Sequence, residues 1–182
     1  MLNRTKTAGP VFEDDGHYRS EADDNAAVHA GFVAAAVVNA AAGNTIEIDT
    51  MEDGILGGDV TGRLSGEARG GDDSITIQNL IAGTVAGDAG NALRDNARGG
   101  NDTITVATMN GGEVGGDAGS RMEHNTLGGH DSIIIANMPD GWVAGEGGSI
   151  GNDARGGDGA TTLATMDGGI VAGDAQASMR PN

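Results

Sequence analysis

A unit of roughly 29 residues recurs five times between about Gly43 and Met179, and a chain built this way folds by stacking copies of one short element. The copies start near Ala42, Gly71, Gly100, Gly129 and Gly157, at spacings of 29, 29, 29 and 28 residues. Apolar residues keep register through all of them. One column is Ile46, Ile75, Ile104 and Ile133 with Thr161 last, and two residues on comes Ile48, Ile77, Val106, Ile135 and Leu163. A spacing of two is strand spacing, because alternate side chains of a strand share a face. Further columns run Met51, Leu80, Met109, Met138 and Met166, then Leu56, Val85, Val114, Val143 and Val171.

Glycine is as periodic as the aliphatics, at Gly54, Gly83, Gly112, Gly141 and Gly169 and again at Gly58, Gly87, Gly116, Gly145 and Gly173. Corners that need positive φ or close backbone approach account for both columns. Each coil therefore reads as a strand of about five residues, a tight Gly-rich turn, a second short strand and a longer polar connection. A helical repeat does not suit the short apolar alternation. A row of antiparallel hairpins is the other alternative, and identical residues at one position per unit favour stacking over it. The expected fold is all-β, a parallel β-solenoid (β-helix or β-roll) of about five coils over 43–182, preceded by an N-terminal arm and cap over 1–42.

Within that arm, the Ala- and Val-rich run from Asn25 to Ala42 supports two readings. One is an amphipathic helix capped by Asp23, Asp24 or Asn25 and stopped by Gly43, with Val28 and Phe32 on one face. The other is a shortened extra coil that matches Gly31-Phe32-Val33 to Gly54-Ile55-Leu56.

Composition agrees with stacking: 34 glycines and 2% aromatic residues leave too few large side chains for an ordinary mixed core. The 27 acidic residues outnumber 10 basic ones, for a formal charge of −17, so binding to nucleic acid or to an anionic membrane is opposed. Metal cations or basic partners are favoured. Cysteine is absent, which excludes disulfides and thiolate metal sites. No apolar run reaches membrane-spanning length, so membrane insertion is not expected. Near the start, Arg4 and Lys6 are followed by Glu13, Asp14 and Asp15 instead of an apolar signal core. Retention inside, or export without a cleaved N-terminal signal, is the expectation.

Two acidic columns carry the candidate chemistry. The first is Asn44, Asp73, Asp102 and Asp131, with Gly159 ending it, and the second is Asp59, Asp88, Asp117, Glu146 and Asp174. Stacked coils place like residues about 4.8 Å apart. Two unit charges at that distance repel by roughly 1 kcal/mol even at the dielectric of water. Either the carboxylates accept hydrogen bonds from turn N–H groups, or calcium lies between coils and takes carboxylate and carbonyl oxygens. Arg69, Arg98 and Arg155 offer a third arrangement by pairing with Asp72, Asp95 or Asp153. His17, His29, His124 and His130 share no regular metal spacing and read as surface or cap residues.

The segments Gly99-Gly100-Asn101-Asp102-Thr103-Ile104 and Gly70-Gly71-Asp72-Asp73-Ser74-Ile75 resemble the second half of the RTX, or haemolysin-type, calcium-binding nonapeptide. The resemblance covers about seven residues per coil, with Arg69, Arg98, Leu127 and Arg155 standing where the family's first glycine would be. It implies a parallel β-roll, calcium in the turns and type I export with an uncleaved C-terminal signal.

No nucleophile elbow, phosphate loop or zinc motif is present, so an enzyme is not expected. The expectation is an extracellular or cell-surface structural protein that binds calcium and stacks end to end, since only Arg180-Pro181-Asn182 follow Met179 after the fifth unit. The alternative is an adhesin or binding module for ice, glycan or mineral. Its face would be the outward positions Thr45, Ser74, Thr103 and Ser132, with Glu47, Thr76, Thr105, Ile134 and Thr162 beside them.

Overall fold

A computed structural model describes residues 43–174 apart from Asn152, together with the backbone of residues 11–12, 18–19, 27–33 and 36–37. Its repeating part begins with β5 (Thr45–Met51), β6 (Ile55–Gly57) and β7 (Arg63–Leu64). The next turns contain β8 (Ser74–Leu80), β9 (Thr84–Ala86) and β10 (Ala92–Leu93), then β11 (Thr103–Met109), β12 (Glu113–Gly115) and β13 (Ala118–Met122). A fourth contains β14 (Ser132–Met138), β15 (Trp142–Ala144) and β16 (Gly147–Ile150), and a fifth opens with β17 (Ala160–Met166) and β18 (Ile170–Ala172). Four complete turns with three strands each are therefore described, plus two strands of another.

Every pairing between the described turns is parallel, and all keep register except that of the strands ending at Met122 and Ile150, which shifts between Ala118 and Arg121. Ile104 pairs with Ile75 and Ile133, Val106 with Ile77 and Ile135, and Val114 with Val85 and Val143. The result is a parallel β-solenoid with three faces. The first is the sheet β17-β14-β11-β8-β5 and the second is β18-β15-β12-β9-β6, each with one more strand described below, and the third is β16-β13-β10-β7. Seven-residue strands exceed the expected five. The third face stands where the sequence predicts only a polar connection, and Leu64, Leu93, Met122 and Ile150 form an apolar column in it at almost the same period. With Ala89, Ala97 and Ala118 this column makes a small second core.

The main core is the stack of Ile, Val, Leu and Met columns between the first two faces, with Ile46, Ile75, Ile104, Met109 and Val143 fully buried. The two glycine columns have different causes. Gly83 and Gly112 have φ of 98° and 86° at the corner between the first and second strands, where an L side chain would be strained. The Gly58, Gly87 and Gly116 column is set by close approach instead, as the site below explains.

Of the two readings of the Asn25–Ala42 run, the helix does not form and the extra coil holds in kind: β3 (Ala27–Val33) and β4 (Ala36–Val37) are strands that extend the first two faces below β5 and β6. A Val-rich, alternating run beside an open parallel edge gains a ladder of backbone hydrogen bonds that an isolated helix would forgo. The register differs from the Gly31-Phe32-Val33 match to Gly54-Ile55-Leu56. Val28, Ala30 and Val33 pair with Ile46, Ile48 and Met51, and Ala36–Val37 pair with Leu56–Gly57. Farther back, β1 (Val11–Phe12) and β2 (Tyr18–Arg19) form an antiparallel pair. The expected cap residues Asp23, Asp24 and Asn25, and the segment from Met179 to Asn182, lie outside the described residues.

Candidate metal centre

Period-two alternation explains why aspartates enter the interior. Asp73, Ile75 and Ile77 lie on one side of the strand line, as do Asp102, Ile104 and Val106, so the row that fills the aliphatic core continues backwards into a carboxylate. Asp73, Asp102 and Asp131 are only 1–3% exposed, and Asn44 in the same column is 2% exposed. The second column follows the close glycines that turn the chain after β6, β9, β12 and β15. There Asp59, Asp88, Asp117 and Glu146 are 0–1% exposed. Both columns predicted from the sequence thus lie inside the solenoid. Asp174 is only partly buried, and its carbonyl accepts hydrogen bonds from the N–H groups of Glu146 and Gly147.

The columns interleave. Carboxylate oxygens of Asp59, Asp73 and Asp88 lie within 4.8 Å of one another, as do those of Asp88, Asp102 and Asp117 and those of Asp117, Asp131 and Glu146. These clustered acidic residues could hold metal ions. Glycine is what permits the crowding. A Cβ on Gly58 would collide with both Asp73 Oδ2 and the Gly87 carbonyl oxygen, and one on Gly87 with Asp102 Oδ2 and the Gly116 carbonyl oxygen. A Cβ on Gly99 would strike Asp117 Oδ1. Carboxylate and carbonyl oxygens therefore converge at each corner with no side chain between them.

Backbone hydrogen bonds satisfy only part of this array. The N–H of Asn44 donates to Asp73 Oδ1, that of Asp73 to Asp102 Oδ1 at 2.7 Å, and that of Asp102 to Asp131 Oδ1 at 2.9 Å. In the other column Gly71 donates to Asp59 Oδ2 at 2.9 Å, while Gly100 and Gly129 each donate one N–H across both oxygens of Asp88 and Asp117. Among the described residues six buried carboxylate oxygens accept from no N–H or hydroxyl group, namely Asp59 Oδ1, Asp73 Oδ2, Asp102 Oδ2, Asp131 Oδ2 and both Oε atoms of Glu146, although a protonated Asp88 or Asp117 hydrogen-bonds to the Asp59 or Glu146 carboxylate. A buried carboxylate with one N–H is far from compensated for the water it has lost.

Protonation responds accordingly. Burial, reinforced by the charge of Asp59, pushes the Asp73 carboxyl up to about 8. Burial raises Asp131 to about 7 and Asp59 to about 6. It also raises Asp88, Asp102 and Asp117 well above the ordinary carboxylate range; the charges of neighbouring carboxylates add to the effect, while a hydrogen bond with Asp117 opposes it at Asp88.

Asn44 is the internal control. Its Nδ2 donates to the Gly58 carbonyl oxygen at 3.1 Å, so the amide supplies the hydrogen that the aspartates higher in the column lack. Spacing puts Asn44 in the column, and only the carbonyl opposite gives it this part.

The arginine corner is stacked through its backbone. Arg69, Arg98, Leu127 and Arg155 join consecutive turns by backbone bridges. Asp72 accepts from the Asn101 backbone and side-chain nitrogens, and Asp95 lies 3.5 Å from His124. Among the described residues, Arg94 and Arg121 pair with Glu123, at 3.1 and 3.7 Å. His124 and His130 are exposed, as expected. On the outer face, Thr45, Ser74 and Thr103 are exposed, but Glu47 and Ile134 interrupt the hydroxyl pattern beside them. No family model, curated protein or solved structure matches this chain.

Proposed function

We propose that the chain is a non-catalytic structural solenoid of the cell surface or extracellular space, stabilised by calcium bound along its buried acidic columns. The observation that carries this reading is the set of unpartnered carboxylate oxygens converging with glycine carbonyls inside the coil. Calcium suits such a site because it takes six to eight oxygen ligands in irregular geometry, whereas magnesium holds to a strict octahedron and keeps its waters. The RTX-like Gly-Gly-x-Asp turns agree with that choice of ion and with export through a type I route.

Repetition of the acidic residues in every turn supports a structural role over catalysis, since a catalytic group is needed once. The fifth turn supports head-to-tail stacking between copies. Met166 is 47% and Val171 37% exposed, although their counterparts Met109 and Val143 are fully buried. An apolar strip left open on the last described turn is a template for another coil. The exposed hydroxyls of Thr45, Ser74 and Thr103 support the second reading, an adhesin face.

Calorimetry with and without calcium tests the main reading. Millimolar calcium is expected to bind and to raise the melting temperature, and Asp102→Ala or Asp117→Ala to weaken that response. No binding heat, together with a melting curve that chelator leaves unmoved, rejects it. Light scattering tests the stacking: a chain that stays monomeric at high concentration with and without calcium, or assemblies that survive Leu163→Glu and Val171→Glu unchanged, would sink it.

A further inference from the structure

We propose that the interior carboxylates hold a single file of three divalent cations whose neighbours share ligands, Asp88 between the first and second ions and Asp117 between the second and third. This deepens the cation reading above and rests on it. Asp88 belongs both to the cluster with Asp59 and Asp73 and to the one with Asp102 and Asp117, and Asp117 belongs also to the one with Asp131 and Glu146. Each cluster contributes a buried oxygen that accepts no hydrogen bond: Asp73 Oδ2 in the first, Asp102 Oδ2 in the second and Asp131 Oδ2 in the third. All of these residues are at most 3% exposed. The shared residues retain coordinating capacity, because a carboxylate has about four lone-pair sites and each of these spreads one N–H over its two oxygens.

Charge selects the valence. Seven buried carboxylates face one another across the three clusters. Three divalent ions neutralise all but one of these charges, whereas three monovalent ions leave four and three trivalent ions overshoot by two. Consecutive ions lie one strand separation apart, about 4.8 Å. That is wider than the 3.5–4 Å of ordinary two-metal sites, in which close cations coexist.

The ends of the file are also defined. Below the first cluster the column residue is Asn44, whose amide donates to the Gly58 carbonyl, so no cation is called for there. Above the third cluster the first column ends at Gly159, and Asp174 has no carboxylate opposite it in that column. Three sites, and not one per repeat, is the consequence.

Counting calcium bound to the full chain by equilibrium dialysis at neutral pH tests the arrangement. The unsubstituted chain should bind three ions. Asp73→Asn, which touches only the first cluster, should leave two. Asp88→Asn and Asp117→Asn, each touching two clusters, should leave one. Asparagine is already accommodated in the interior at Asn44, and circular dichroism establishes that each variant is folded before its ions are counted. Binding of three ions with the same single loss from Asp73→Asn, Asp88→Asn and Asp117→Asn overturns the shared file and leaves the cation reading standing. A count other than three in the unsubstituted chain also overturns it, without reference to any variant. Binding of no ions rejects the file and the cation reading together.

Discussion

Two buried stacks run side by side through this solenoid, one of aliphatic residues around Ile75, Ile104 and Ile133 and one of carboxylates around Asp73, Asp102 and Asp131. They are neighbours in sequence, two residues apart on the same side of the same strands, and parallel in-register pairing copies both from turn to turn. Copying has opposite results in the two. An isoleucine stacked on an isoleucine removes apolar surface from water at about 25 cal/mol per Å2, and each added turn contributes again. An aspartate stacked on an aspartate adds repulsion to a desolvation penalty that grows with the stack. Repetition therefore stabilises the first stack and works against the second, which is relieved by backbone N–H groups, by protons or, on the reading proposed above, by cations.

The largest expected effect breaks the second stack and spares the first. Stripping calcium with chelator near pH 7.5 should destabilise the protein strongly. One site contributes about 2.7 kcal/mol at a free ligand concentration of a hundred times Kd, and three sites together outweigh any single core substitution. Thermal melts across a calcium titration measure this.

Ile104→Ala attacks the first stack and should cost about 2–5 kcal/mol. The loss should be similar with and without calcium in denaturant unfolding at pH 4, where proton uptake replaces the cation. A loss that vanishes when calcium is withdrawn would show the stacks to be one cooperative unit.

The pH dependence of the metal-free chain follows from the raised carboxyls. A group whose folded pKa lies above its unfolded value contributes stability that is complete below the unfolded value, about 3.9 for aspartate, and is lost as pH rises through the folded one. Chelated protein should therefore be most stable near pH 4 and weaken through about 6, 7 and 8 as Asp59, Asp131 and Asp73 ionise. Calcium should abolish that decline. A chelated chain that grows more stable between pH 4 and 8 contradicts the account.

Asp102→Asn sharpens the comparison further. By analogy with Asn44, an amide here keeps the acceptor for the Asp73 N–H and gains a donor for the Gly116 carbonyl oxygen. Metal-free protein at neutral pH should gain about 1–2 kcal/mol, since an unsatisfied buried acceptor is removed. The calcium-induced rise in melting temperature should shrink. Least affected should be Thr105→Ala, on the outer side of the strand one residue from Ile104, which is expected to stay within about 0.5 kcal/mol.

Much of this arrangement is legible in the amino-acid sequence. The 29-residue period, the inward columns, the positive-φ corner glycines and the membership of both acidic columns all follow from residue spacing, because a period of two and a fixed repeat length leave little freedom in a parallel stack. The third face was overlooked because its strands contain as few as two residues, below the length at which alternation can be recognised. Its single column of Leu64, Leu93, Met122 and Ile150 was the available signal. The run from Asn25 to Ala42 was ambiguous for a different reason. Alanine and valine at mixed spacing fit a helix or a strand, and the free edge of β5 and β6 settles the choice.

By itself, then, the sequence determined that the chain repeats as stacked strands, which residues recur at each level and that two of the recurring columns are acidic. Only the tertiary structure decided that those columns meet. Asp73 lies 14 residues after Asp59 and 15 before Asp88, and no local rule brings the three together. They converge because each corner glycine lets the next turn approach without a Cβ between them, and because the coil closes around its three faces. Burial is likewise a property of the stack and not of the residue. The same side chain that is sealed in a middle turn at Met109 is open at Met166, where the covering strand is absent among the described residues.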